Sequence, residues 1–160
     1  MEIRDYAIED KDALISALYQ FQTYLAELDP LKRVQCWPGY GEAYTKDLLE
    51  KVGKHNGKIF IVEEGGKMIG FASGIIEEMP EQEKLAHIPV ISGYILDVYV
   101  ESEYRGTGIG KQLMEEMEKY FKEKKCTMVS FRVFKPNESA HEFYKTLGYE
   151  DRDYIMEKMI

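Results

Sequence analysis

Hydrophobic positions divide the 160 residues into segments of two distinct periods. Residues 2–8 (EIRDYAI) alternate and predict a first strand. From about Asp12 to Glu27, Leu14, Leu18, Phe21, Leu25 and Leu28 recur at intervals of four, three, four and three, which is one buried stripe on a helix. Asp29-Pro30 stops it, because proline disfavours helical geometry in the residue before it. The segment LKRVQCWPGYG, with Pro38, Gly39 and Gly41 around Trp37 and Tyr40, predicts an irregular loop, and a short helix follows from Glu42 to about Val52. KIFIVEE and KMIGFASGII are strand-like runs separated by Gly65-Gly66, which supply the positive φ of a tight hairpin turn.

Residues 77–90 are polar, carry Pro80 and Pro89, and predict a surface loop. A strand over Ile91–Val100 leads into a helix from Gly108 to about Lys125 with Ile109, Leu113, Met117, Tyr120 and Phe121 inward. Thr127–Phe134 is a further strand, Asn137 caps a helix to about Leu147, Gly148 ends it, and Tyr149–Met159 reads as a last strand. The order β-α-α-β-β-β-α-β-α-β is that of an α/β (α+β) protein with a mixed sheet. Strand 91–100, helix 108–125 and strand 127–134 form a right-handed crossover, so the fourth and fifth strands are expected to be parallel neighbours.

Between those two strands lies the segment with the clearest chemistry, Arg105-Gly106-Thr107-Gly108-Ile109-Gly110-Lys111 at the start of a helix. Glycines allow close approach of a ligand to the backbone, and the first helical amides have no carbonyl partners of their own. Such an end favours an anion, with Arg105 and Lys111 adding charge; a plain strand-to-helix connection with small residues for packing is the bland alternative. It is not a Walker loop, since Arg105 stands where the first glycine must be and Gln112 follows the lysine. It is not a dinucleotide fingerprint either, because Lys111 occupies the third glycine position.

The length suits one domain over residues 1–160, and the formal charge of −8 disfavours a nucleic-acid partner while favouring a cationic substrate. No apolar run approaches a membrane span and the N-terminus is acidic, which predicts a cytoplasmic protein without membrane partners. Cys36 and Cys126 are isolated, so free thiols are expected and no metal site.

Taken with the strand ILDVYV before it, Asn137 and Tyr144 at Asn-x6-Tyr spacing, and the ending Leu147-Gly148-Tyr149, the glycine loop resembles the acetyl-CoA signature of the GNAT N-acetyltransferase superfamily. The resemblance implies transfer of an acetyl group from acetyl-CoA, as cosubstrate, to a primary amine by direct attack. It places the pantetheine arm along Val98, Tyr99 and Val100, and the diphosphate on Arg105 to Lys111. Asn137 would contact the coenzyme and Tyr144 would protonate its departing sulfur; a simple core tyrosine is the alternative on spacing alone.

Asp97, an acid within an apolar strand, is left as base, ammonium anchor or structural ion pair. By the two-residue period it should face with Tyr99 and away from Leu96 and Val98. Acceptor recognition falls in the family to its variable segments, here Trp37, Tyr40, Glu77 and Tyr154. The expected acceptor is a small cationic amine or polyamine. A protein N-terminus or lysine, or a catalytically silent coenzyme-A-binding module, are the alternatives. Members of the family often dimerise, which leaves a homodimer open.

Overall fold

In the computed structural model, which describes residues 1–158, five strands form one sheet in the order β1-β2-β3-β4-β5. They are β1 (Glu2–Asp5), β2 (Lys58–Glu64), β3 (Lys67–Glu78), β4 (Ile91–Val100) and β5 (Met128–Ser130). Helices α1 (Lys11–Leu28) and α2 (Tyr40–Lys54) precede β2, α3 (Ile109–Glu123) joins β4 to β5, and α4 (Glu138–Thr146) follows β5. The first three pairings are antiparallel, and β4 with β5 is parallel, as the crossover requires.

The run Ile59-Phe60-Ile61-Val62 is apolar on both faces because both faces are covered. Ile59 and Ile61 pack with Leu14, Leu18 and Leu48 of α1 and α2, while Phe60 and Val62 pack with Leu113, Met117 and Phe121 of α3. Phe121 lies so close to the sheet that a Cβ on Gly93 would stand 2.3 Å from its ring and one on Gly74 2.7 Å. Gly65 and Gly66 carry φ of 59° and 80°, as the hairpin predicted.

Several boundaries move. The first strand stops at Asp5, because Asp10 accepts the Ala7 amide at 2.8 Å and holds Arg4 at 2.8 Å, turning the chain into a 3-10 turn at Ile8–Asp10. Helix α2 starts at Tyr40, two residues early, because Gly39 takes the left-handed geometry (φ 87°) that launches it. β5 covers three residues of the expected 127–134, since its pairing with β4 ends at Tyr94 and Ser130. Tyr149–Glu157 forms no strand: Tyr154, Ile155 and Met156 stand exposed, and the backbone bonds recorded there end with the Tyr149 amide on the Tyr144 carbonyl. Met159 lies outside the described residues. Among the described residues no helix is long and apolar enough to cross a membrane.

Candidate active site

The site is built on an irregularity of β4. Ser73 of β3 pairs with Asp97 and Gly74 pairs with Ile95, so Leu96 is one residue too many, a β-bulge. The extra residue shifts the alternation by one. Ile95 packs with the α3 cluster, whereas Asp97 and Tyr99 both point towards α1 and α2, with Val98 on the α3 side. The expectation that Leu96 opposes Tyr99 is therefore corrected: Leu96 joins Tyr99 in the α1/α2 cluster because the bulge places it outside the regular period.

Beside the bulge β5 leaves β4. Past Tyr94 the backbone groups of β4 on that side have no strand partner among the described residues, and a cavity of about 170 Å³ occupies the split. Its lining includes Phe21 and Leu25 of α1, Leu96, Asp97 and Val98 of β4, Phe131 to Phe134 after β5, and Asn137 and Tyr144 of α4.

Asp97 is 8 % exposed. Its carboxylate accepts the Tyr44 hydroxyl at 3.2 and 3.1 Å and the Ser73 hydroxyl at 3.1 Å. No cation pairs with it among the described residues; Lys51, whose field reaches it, is bound to Asp47 at 2.8 Å. The ion-pair alternative is thus without a partner. Burial pushes the Asp97 pKa up from 3.8 to about 6, against the opposing pull of the hydrogen bonds from Ser73 and Tyr44. Tyr144 shares the cavity. Burial, and secondarily the Asp97 charge, raise its pKa to about 12, so it holds its proton at neutral pH. Its ring is fixed by Phe131 at 4.5 Å and Phe143 at 5.1 Å.

At the other end, Gly106 and Gly108 take φ of 78° and 91°, and a Cβ on either would meet nothing within 4 Å. Gly108 caps α3, whose first turn holds no acid, and the first amide bonded there is that of Gln112, on the Gly108 carbonyl. Among the described residues the amides of Gly106 to Lys111 therefore have no partner and are open to an anion. Gly110 serves packing, since its Cβ would lie 3.3 Å from Phe143 of α4. Ile109 is core at 1 % exposed, Thr107 donates to the Tyr104 carbonyl, and Lys111 pairs loosely with Glu115 on the surface. Arg105 donates to the Val100 carbonyl at 3.1 Å and lies over the Tyr24 ring. Tyr24 in turn donates to Asn137 Oδ1 at 3.3 Å, and Asn137 caps α4 as expected. An open strand edge, a cavity and a free helix end in line fit an extended ligand with an anionic terminus, which is the shape of an acyl coenzyme A.

The acceptor candidates separate. Tyr40 stacks on Tyr44 at 5.5 Å, and burial and the Asp97 charge raise its pKa to about 12, so it lies near Asp97 without lining the cavity. Trp37 is 70 % exposed on the loop before α2. Glu77 pairs with Ser92, five residues along β4 from Asp97, and Tyr154 is exposed, so neither reaches the cavity. The Tyr99 side chain bonds Gln20 of α1 at 2.9 Å, leaving its backbone for any coenzyme contact. Sequence reasoning missed Tyr44 and Ser73. Tyr44 carried one usable signal, its place four residues after Tyr40 on one helical face.

The sequence matches the Acetyltransferase (GNAT) family over residues 19–149. It is 38 % identical to pig thialysine N-epsilon-acetyltransferase over 58 residues, 36 % of this chain and 34 % of that enzyme, so the chain spans about a third of that relative. It is 27 % identical to the spermidine N(1)-acetyltransferase of Thermoplasma acidophilum over 99 % of this chain and 96 % of that one. The structure superposes on a mutant BH1408 protein from Bacillus halodurans with a TM-score of 0.83 at 21 % identity, covering 100 % of this chain and 99 % of the other. With the family signature spanning α1 to α4 and the fold shared along the whole chain, this protein belongs to the GNAT acetyltransferase family.

Proposed function

We propose that the chain is one acetyltransferase unit that moves an acetyl group from acetyl-CoA to the primary amine of a small cationic acceptor, in a ternary complex. The observation that carries this is the buried, cation-free Asp97 carboxylate beside Tyr144 in one cavity at the split of β4 and β5. Family members use acetyl-CoA, and the relatives named for spermidine and thialysine act on amines that carry further positive charge.

Acetyl-CoA supplies the acetyl group as a thioester. The amides of Gly106 to Lys111 and the Arg105 guanidinium hold the diphosphate, and the β4 edge at Val98 to Val100, whose Val100 carbonyl already accepts from Arg105, lines up the arm. Asp97 draws in the ammonium and takes the proton it sheds; at a pKa of about 6 the carboxylate is mostly ionised at neutral pH and still basic. As the C–N bond forms and the C–S bond breaks, Tyr144 gives its proton to the departing sulfur and is reprotonated by the second proton, the one the acetylated nitrogen loses. Tyr40 flanks the acceptor.

The test is thiol release from acetyl-CoA with the purified chain across spermidine, thialysine, aminoglycosides, glucosamine 6-phosphate and peptides. Turnover fastest with a polyamine or diamine and lost in Asp97→Asn is expected. Binding of acetyl-CoA without thiol release for any amine would assign the chain to a silent coenzyme-A-binding module instead.

A further inference from the structure

The Tyr44 hydroxyl stands within hydrogen-bond reach of both oxygens of Asp97, at 3.2 and 3.1 Å, while Ser73 holds one of them at 3.1 Å. A carboxylate in mid-sheet with two hydroxyl donors and no cation is held by directional bonds alone. The donors come from two elements, α2 and β3, on the two sides of the group. The Tyr44 ring is itself located by its stack on Tyr40, with planes 17° apart.

We propose that Tyr44 is the positioning residue of the acceptor site: by donating to Asp97 it fixes the carboxylate's orientation and keeps it ionised at neutral pH. This rests on the reading of Asp97 as the group that receives the amine's proton. Both hydroxyls favour the charged carboxylate, because they donate to it and burial disfavours it. The other groups that face Asp97 are Tyr40 and Lys51 of α2 and Tyr144 of α4. Burial keeps both tyrosines protonated, and Lys51 is engaged with Asp47. Neither tyrosine donates to Asp97, the Tyr144 ring being held by Phe131 and Phe143, so in Tyr44→Phe the Ser73 hydroxyl is the one bonded donor left among the described residues.

The consequence has a particular pH signature. A charge-assisted hydrogen bond lost from a buried carboxylate raises its pKa by about one unit, from about 6 to about 7. The ionised fraction of Tyr44→Phe relative to the parent then stays near one at pH 9, falls about twofold at pH 7 and about tenfold at pH 5. The acceptor's own titration is common to both proteins and cancels in the ratio.

The experiment has two arms. In the first, the Asp97 carboxyl is titrated by NMR of protein labelled with 13C-aspartate, in the parent, Tyr44→Phe and Ser73→Ala. An upward move of about one unit in Tyr44→Phe is expected, with a move in the same direction in Ser73→Ala, which keeps the question open to measurement should one variant misfold. In the second, kcat/KM for the best amine is compared from pH 5 to 9, with KM for acetyl-CoA unchanged. A variant-to-parent ratio flat with pH, or a carboxyl that titrates at the same place without Tyr44, overturns the proposal. Absence of thiol release from the parent would instead refute the acetyltransferase reading, and the NMR arm would still decide the role of Tyr44.

Discussion

Replacing Asp97 with asparagine separates what the site needs from what the fold prefers. The carboxyl binds its proton more tightly folded than unfolded, with a pKa of about 6 against 3.8. Folding is therefore linked to proton uptake: its stabilising share is complete below about pH 4, is lost as pH rises towards 6, and stays lost above. The gap corresponds to roughly 3 kcal/mol of stability forgone at neutral pH. The asparagine side chain would carry no charge and keep an acceptor for Tyr44 and Ser73, but its NH2 needs a partner, so the net gain is about 1–2 kcal/mol at pH 7.5. Asp10 and Asp29, whose pKa values are lowered by partners, lose their contributions only below about pH 4, outside this window. Urea unfolding of parent and Asp97→Asn at pH 4 and 7.5 checks it. The variant should be the more stable at pH 7.5 and the less stable by about 1 kcal/mol at pH 4, where the parent has regained its share and the unpartnered NH2 still costs, while its thiol release falls by about a hundredfold or more. A variant less stable than the parent at pH 7.5, or an advantage that does not change with pH, would refute the reasoning.

Tyr144→Phe should lower kcat about a hundredfold yet leave the urea midpoint nearly unchanged, because Phe131 and Phe143 hold the ring irrespective of its hydroxyl. Unchanged turnover from pH 6 to 9 would remove Tyr144 from the chemistry. Gly93→Ala should cost about 3 kcal/mol, since the added Cβ would sit 2.3 Å from the Phe121 ring, and Phe121→Leu in the same chain should restore part of it. Asp29 accepts the amides of Leu31, Arg33 and Val34 and thereby pins the loop before α2. Asp29→Ala should speed amide hydrogen exchange at Leu31, Arg33 and Val34 about tenfold, and equal exchange would show that the loop is held by other means.

Legibility followed the range of the interactions. The glycine loop, the hairpin at Gly65-Gly66 and the Asn137 cap depend on a few adjacent residues, so their letters sufficed. The start of α2 at Tyr40 was misplaced because Gly39 read as a loop residue and serves as the left-handed entry to a helix. The alternation of Tyr149–Met159 suggested a strand, but a strand also needs a partner edge, and no local pattern reports one. Tyr44 was hard to read for the same reason: beyond its place on the face of Tyr40, its contact with Asp97 exists only because α2 lies over the point of β4 where an acid is buried.

The bulge at Leu96 explains why that point exists. In an unbroken strand that kept Leu96, Ile95 and Asp97 would share a face, and the carboxylate would project among the methionines and phenylalanines of the α3 cluster, away from Tyr44 and Ser73. One extra residue turns Asp97 to the opposite face, where Tyr44 and Ser73 meet it. The same irregularity lies just beyond Tyr94, the last β4 residue that pairs with β5. The bulge thus takes up Leu96, leaves Asp97 opposite Ile95 on the α2 side, and adjoins the free edge on which the acyl arm is proposed to lie. Removing Leu96 would leave Ile95 and Asp97 adjacent and on opposite faces as now, with the pairings Gly74–Ile95 and Ser73–Asp97 kept and only the bulge lost. Such a deletion should leave the Asp97 titration in place and lower thiol release, because the bend that the bulge gives β4 beside the split would be lost; unchanged thiol release would refute that link.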